Sequence, residues 1–216
     1  MHTLASVLNG LQEQDAGAPA VITFDGDEAR QTSRGELAAG AAALARRLQR
    51  EGIGPGDRVA ICGSPSAAWI LSALAGLRAR AVVTPIDAQM ERESFAHVLQ
   101  DAQPACLVTD EEHREKLDGL ELDPVPRVIM LDEVSERDVD GDEVDGEEPG
   151  SDTGAVLFYT SGTTGAPKGV PLTHGNLAFQ IETITSARVA GPEDRLLLAL
   201  PLHHVYPFVI GMLAPL

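Results

Sequence analysis

The stretch Tyr159-Thr-Ser-Gly-Thr-Thr-Gly-Ala-Pro-Lys-Gly169 decides how this chain is read. Three glycines, four Ser and Thr hydroxyls and one lysine fall within eleven residues. Glycine lets backbone N–H groups turn inward around an anion, hydroxyls add donors, and lysine adds a compact charge. The apolar run Ala155-Val-Leu-Phe-Tyr159 just before it has the length and composition of a buried strand. The loop therefore leaves a sheet at a strand's carboxyl end, where open α/β sheets hold their ligands. Phosphate binding is the chemistry this pattern serves. A Walker loop fits less well, because it needs Gly-Lys-Ser/Thr running straight into a helix. Here Pro167 precedes Lys168, and Gly169-Val-Pro171 follows. Pro167 drives Ala166 out of helical geometry and Pro171 removes a backbone donor. The lysine belongs to a loop or hairpin, a flap over phosphates rather than a rigid cradle.

Outward from the loop the elements alternate. Leu4, Val7, Leu8 and Leu11 have helical spacing over residues 3–14. Strands at 20–24 and 29–31 flank Asp25-Gly26-Asp27, a hairpin signal. Thr32 or Ser33 can cap a helix over 35–51, with Glu36 placed to complete a capping box from Ser33. A strand at 58–62, a helix at 66–78 opened by Pro65, a strand at 81–84 and a helix at 91–101 follow, then strands at 105–109 and 127–131. Beyond the loop come a strand at 169–172, a helix at 174–189, a strand at 195–200 and a helix from Tyr206 onward. The alternation predicts an α/β fold, layered sheet with flanking helices, at least partly parallel.

At 216 residues and 44% apolar content, the chain is long enough to bury a sizeable core. Cys62 and Cys106 stand far apart in apolar contexts without metal-ligand spacing, as buried reduced thiols do. Residues 1–11 lack a basic, then apolar, leader, and no apolar run reaches bilayer length. A cytoplasmic protein is expected, with any membrane contact peripheral. The net charge of −17 argues against a nucleic-acid surface, which selects for clustered Lys and Arg. Most of that charge sits between Asp110 and Glu148, with 17 acidic against 4 basic residues. Within it, residues 133–150 read as a solvated acidic linker. Their Asp-x-Asp-Gly-Asp spacing hints at calcium but lacks the EF-hand register. Only two of the 16 basic residues are lysines, Lys116 and Lys168, which makes a lysine in the loop the more telling.

The run Tyr159 to Gly169, continued as Val170-Pro-Leu-Thr-His174, resembles the phosphate loop of the acyl-adenylate-forming (AMP-binding) enzymes, the superfamily of acyl-CoA synthetases, peptide-synthetase adenylation domains and luciferases. Downstream, Leu200-Pro-Leu-His-His-Val-Tyr-Pro207 is similar to that superfamily's strand-to-helix segment, whose histidine borders the carboxylate pocket. Gly52-Ile-Gly-Pro-Gly-Asp-Arg-Val-Ala-Ile61 and Leu77-Arg-Ala-Arg-Ala-Val-Val-Thr-Pro85 resemble its N-terminal signatures, so the likeness covers almost the whole chain. The superfamily's later segments have no counterpart here: the Tyr-Gly-x-Thr-Glu run, the ribose-binding aspartate, the hinge, and the small C-terminal domain with its lysine. The resemblance thus implies that residues 1–216 are a truncated N-terminal domain, inactive alone and with an unfinished apolar C-terminus prone to self-association.

For the complete protein the resemblance implies an acid–thiol ligase: a carboxylate attacks the α-phosphate of ATP to give acyl-AMP and pyrophosphate, and a thiol then takes the acyl group. The carboxylate is already ionised at neutral pH, so the first half needs no general base. By motif position Ser161, Gly162, Thr163, Thr164 and Gly165 would hold the β- and γ-phosphates with Lys168. Thr160 would also touch Mg²⁺, and His204 would act beside the carboxylate and α-phosphate. His203 lines the acyl pocket on this reading, His174 is a structural residue at a helix start, and Trp69 is core. The run after the histidines is most similar to long-chain fatty acyl-CoA synthetases, with coenzyme A or an acyl carrier protein as acceptor. Small Gly211 among bulky residues would leave room for an alkyl chain, although the same run could be core. Aryl-CoA ligases and fatty acyl-AMP ligases stay open. So does another class: a nucleotide- or pyrophosphate-binding module without catalysis.

Overall fold

The computed structural model describes residues 4, 15–134, 147–160, 165–188, 190–191 and 193–216. A two-stranded hairpin, β1 (Pro19–Asp25) and β2 (Glu28–Ser33), turns at Gly26, whose φ of 57° suits glycine. It leads into α1 (Arg34–Arg50). Ser33 Oγ accepts the Glu36 N–H while the Glu36 carboxylate accepts the Ser33 N–H at 2.8 Å, the reciprocal cap expected from the sequence.

Among the described residues six strands form the main sheet: β3 (Arg58–Cys62), β4 (Val82–Pro85), β5 (Cys106–Thr109), β6 (Arg127–Met130), β7 (Gly154–Thr160) and β8 (Lys168–Thr173). Their spatial order is β6-β5-β3-β4-β7-β8, parallel throughout except for β8, which runs antiparallel beside β7. The chain leaves β3 toward β4 through α2 (Ala67–Arg78), then crosses back over β3 to β5 through α3 (Arg92–Ala102). Right-handed crossovers in opposite directions put their helices on opposite faces. Accordingly Val59 and Ile61 of β3 pack in the cluster holding Leu37, Leu44 and Leu48 of α1 and Leu71 and Leu74 of α2. Ala60 and Cys62 pack with Phe95, Val98 and Leu99 of α3. Period two along β3 thus serves two covered faces, and the strand is apolar after Arg58 for that reason. Gly76 lets α2 close on the sheet, since a Cβ there would lie 2.8 Å from Val83 Cγ2.

A short helix α4 (Glu111–Arg114) runs into one 3₁₀ turn at Glu115–Leu117, neither foreseen in the sequence. After β8, Thr173 caps α5 (His174–Ser186): its hydroxyl accepts the Asn176 N–H, and Asn176 Oδ1 accepts the Thr173 N–H. Among the described residues β8 is an edge strand, and it carries Pro171 opposite Leu157.

Three sequence expectations are corrected. The strand at 195–200 is irregular: no strand lies beside it among the described residues, and Leu196, Leu197 and Leu200 are exposed. The helix from Tyr206 is wound wider than α over Pro207–Leu213, with Ala214 N–H donating to the Val209 carbonyl five residues back. The helix at 174–189 ends at Ser186. Of the expected helix at 3–14 only Leu4 is described, buried in the core, and the acidic stretch at 135–146 lies outside the described residues.

Candidate active site

Doubly wound sheets offer a crevice where neighbouring strands send the chain opposite ways, here between the carboxyl ends of β3 and β5. In this protein that crevice is filled by a carboxylate. Asp110 accepts hydrogen bonds from the Ser64 N–H (2.8 Å) and the His113 N–H (3.0 Å), and pairs with His113 Nδ1. Those bonds hold the Asp110 carboxyl below its ordinary value against the opposing effect of burial, the largest single influence. A Cβ on Gly63 would sit 2.6 Å from Leu131 Cδ1 and 3.0 Å from Asp110 Oδ2. An anion has no place beside that acceptor; on the other flank of β3 the sheet runs through β4 to β7 and β8.

There β7 and β8 form a hairpin whose last paired residues are Thr160 and Lys168. Both are exposed, so a residue with a hydroxyl and one with an ammonium stand opposite in register at the hairpin's mouth. Lys168 opens a strand, as the flanking prolines led one to expect. Gly165, also exposed, has φ 135°, a conformation closed to side chains. Ser161, Gly162, Thr163 and Thr164 lie outside the described residues.

His203 and His204 stand in a turn closed by the His204 N–H donating to the Pro201 carbonyl at 3.2 Å. Their rings are 4.2 Å apart, tilted by 55°. His203 is half-buried with Nδ1 3.8 Å from Asp87 Oδ1, while His204 is exposed. Burial lowers the His203 pKa, as does a charged His204, and Asp87 opposes both. His203 is therefore neutral at pH 7, fit to give or take a hydrogen bond. Beside the pair opens a cavity of 420 Å³, walled by Trp69, Ile86, Asp87, Leu198 and the two histidines. Trp69 is core, as expected, and also lines this cavity.

The hairpin and the histidines share a scaffold. Phe158 of β7 meets Phe208 edge-to-face at 5.4 Å, and Trp69 meets Phe208 at 6.3 Å. Among the described residues no hydrogen bond or ion pair joins the two groups directly. The room expected at Gly211 is taken: a Cβ there would lie 2.4 Å from Leu198 Cδ1. Phe208, Val209, Met212 and Leu213 are buried, so most of the apolar run after the histidines is core.

Other candidates stay structural. His174, first residue of α5, is buried with Nε2 unpartnered, and burial lowers its pKa. Burial pushes both thiols, Cys62 and Cys106, up to about 12, which leaves them unreactive. Sequence reasoning missed Asp87, and it missed His97 and Asp101, which touch the hairpin from α3. Only the placing of 97 and 101 one turn apart on a helix was visible beforehand.

Comparison with known proteins agrees with this geometry. The chain matches the AMP-binding enzyme family over residues 11–216. Novobiocin biosynthesis protein H of Streptomyces niveus is 36% identical over 211 residues, covering 94% of this chain and 34% of that protein. Feruloyl-CoA synthase of an Amycolatopsis species is 34% identical over 169 residues, covering 78% and 34%. Among solved structures, the inhibitor-bound N-terminal domain of FACL13 from Mycobacterium tuberculosis superposes with a TM-score of 0.87 at 25% identity, over 100% of this chain and 55% of that one. ATP-bound MatB from Rhodopseudomonas palustris gives 0.80 at 26% identity, over 99% and 43%. The chain spans about a third of the length of the curated relatives it matches. With that match running from residue 11 to the last residue given, the chain belongs to the AMP-binding enzyme family, the adenylate-forming ligases.

Proposed function

We propose that this chain carries the phosphate loop and part of the carboxylate pocket of a ligase that activates a carboxylic acid with ATP and passes the acyl group to a thiol, coenzyme A or a carrier protein. The observation that carries this reading is the hairpin mouth, with exposed Lys168 paired across from Thr160. Bringing a carboxylate to a triphosphate sets anion against anion, so the demand on the protein is electrostatic and positional. Lys168, Gly165 and Thr160, with Ser161, Gly162, Thr163 and Thr164 between them, would hold the pyrophosphate part of ATP in line. Mg²⁺, when bound, would neutralise phosphate charge, with the Thr160 hydroxyl as a ligand and a carboxylate from elsewhere. His204, exposed beside the cavity, would donate a hydrogen bond to the charge developing between carboxylate and α-phosphate. The lysine, glycine and hydroxyls of this hairpin fit a polyphosphate, and on this reading the isolated chain is inactive or binds ATP weakly.

The acid is either a fatty acid, for which the resemblance of 205–213 speaks, or an aromatic acid. The second reading is favoured by the filled space at Gly211 and by 34% identity to a feruloyl-CoA synthase. The test is carboxylate-dependent ATP–pyrophosphate exchange by the polypeptide of the complete gene, with residues 1–216 alongside, across graded fatty acids and hydroxycinnamates. Lys168→Ala should slow exchange about 10²–10³-fold, the cost of one donor to a transition-state anion. Unchanged exchange in that variant would remove Lys168 from the reaction. Mg-ATP binding without exchange by any acid would favour a phosphate-binding module.

A further inference from the structure

The hairpin that carries Thr160 and Lys168 is gripped from outside by one edge of α3. That helix is a firm base: Phe95, Val98, Leu99 and Ala102 are buried, and its last carbonyls, Ala102 and Gln103, accept hydrogen bonds from Arg58 of β3 at 2.7 and 2.9 Å. His97 and Asp101 lie one turn apart on the same edge. Tyr159 Oη donates to Asp101 Oδ2 at 2.5 Å. His97 Nε2 lies 3.1 Å from the Pro167 carbonyl oxygen. A carbonyl only accepts, so Nε2 carries the proton and donates.

Each grip falls one residue before a residue of the hairpin mouth: Tyr159 precedes Thr160, and Pro167 precedes Lys168. The Pro167 carbonyl belongs to the peptide plane that continues into Lys168. With φ of Pro167 fixed by its ring, the His97 bond sets the direction in which Lys168 leaves that plane. On the other strand the Tyr159 ring crosses its register partner Gly169. A Cβ at 169 would come within 3.4 Å of Tyr159 Cζ and 3.1 Å of Leu157 Cδ1, so any larger residue would crowd the ring that reaches Asp101. Burial and the Asp101 carboxylate both raise the Tyr159 pKa, which keeps the phenol a donor.

We propose that His97 and Asp101 are positioning residues for the phosphate loop, setting through Pro167 and Tyr159 the separation and direction of Lys168 and Thr160. The role rests on the phosphate-site reading above. Hydrogen bonds that served only overall stability would weaken everything alike; these act on one end of the site. The test compares His97→Leu with His97→Gln, which keeps a donor, and Tyr159→Phe with Asp101→Asn, which keeps an acceptor.

Hydrogen exchange on the 216-residue chain reads those of the Thr160, Lys168 and Gly169 amides that pair across the hairpin, without any catalysis. His97→Leu should speed them about three- to tenfold, the range of one neutral hydrogen bond, and Tyr159→Phe about tenfold or more. Amides of the separate β1–β2 hairpin, which opens locally with these bonds intact, should not change. In exchange assays of the complete polypeptide, the same two variants should raise KM for ATP by similar factors and leave KM for the carboxylate unmoved, with recovery in His97→Gln and Asp101→Asn. Amide rates equal to the parent, or equal rises in both KM values, would overturn the positioning role. A parent polypeptide without exchange activity would instead overturn the functional reading on which it rests, an outcome the amide rates keep distinct.

Discussion

Two stretches of this chain read alike in sequence and end differently. Residues 58–62, Arg-Val-Ala-Ile-Cys, become the central strand of the sheet, buried from Val59 on. Residues 195–200, Arg-Leu-Leu-Leu-Ala-Leu, are irregular, with Leu197 86% exposed. The difference lies in neighbours rather than in residues. β3 has β4 on one side and β5 on the other, so its N–H and C=O groups are paired, and helices cover both faces. For 195–200 no described strand supplies such pairing. An apolar run is a strand only where another backbone completes it.

The sharpest way to break this comparison is amide hydrogen exchange. Amides of β3 should exchange only through global unfolding, about a thousandfold or more slower than those of 195–200. Equal protection would mean that the two stretches are alike after all. Next in size is Phe158→Ala, which removes the ring joining β7 to Phe208 and should cost about 3–5 kcal/mol in denaturant unfolding. Gly76→Ala presses a methyl against Val83 and should cost about 1–3 kcal/mol.

A smaller effect is set by pH. His174 is held below the ordinary 6.5 by burial, so the folded state keeps it neutral. Its contribution to stability is whole above that ordinary value. It is lost as pH falls from there toward the folded value, by at most about tenfold in the unfolding constant per pH unit. His174→Leu, which deletes an imidazole whose Nε2 has no partner, should flatten that part of the pH profile. A slope identical to the parent's would show that His203 or another group dominates. Smallest of all, Leu197→Ser should move stability by no more than about 0.5 kcal/mol while reducing any self-association seen in sedimentation.

Much of the fold was legible because it is encoded locally. Ser33 with Glu36 marks a helix start without reference to the rest of the chain, and Arg58–Cys62 came out with its bounds intact. The hairpin that Lys168 opens was announced by two prolines. What could not be read were contacts between distant residues. Asp101 and Tyr159 are 58 positions apart, His97 and Pro167 70, and nothing in a single sequence ties them. The Leu198 side chain that occupies the space at Gly211 belongs to the same class. So does Asp110 in the β3–β5 crevice: an aspartate after a strand gives no sign of which gap it fills.

Pro171 has a consequence beyond its own strand. It sits on the open rim of the sheet, opposite Leu157, and a proline has nothing to donate there. A foreign strand approaching that rim would find one rung of the ladder missing in the middle of a six-residue edge. On the far rim β6 offers only four residues and begins with Arg127. Among the described residues the main sheet is thus a poor template for fibrous growth at both margins.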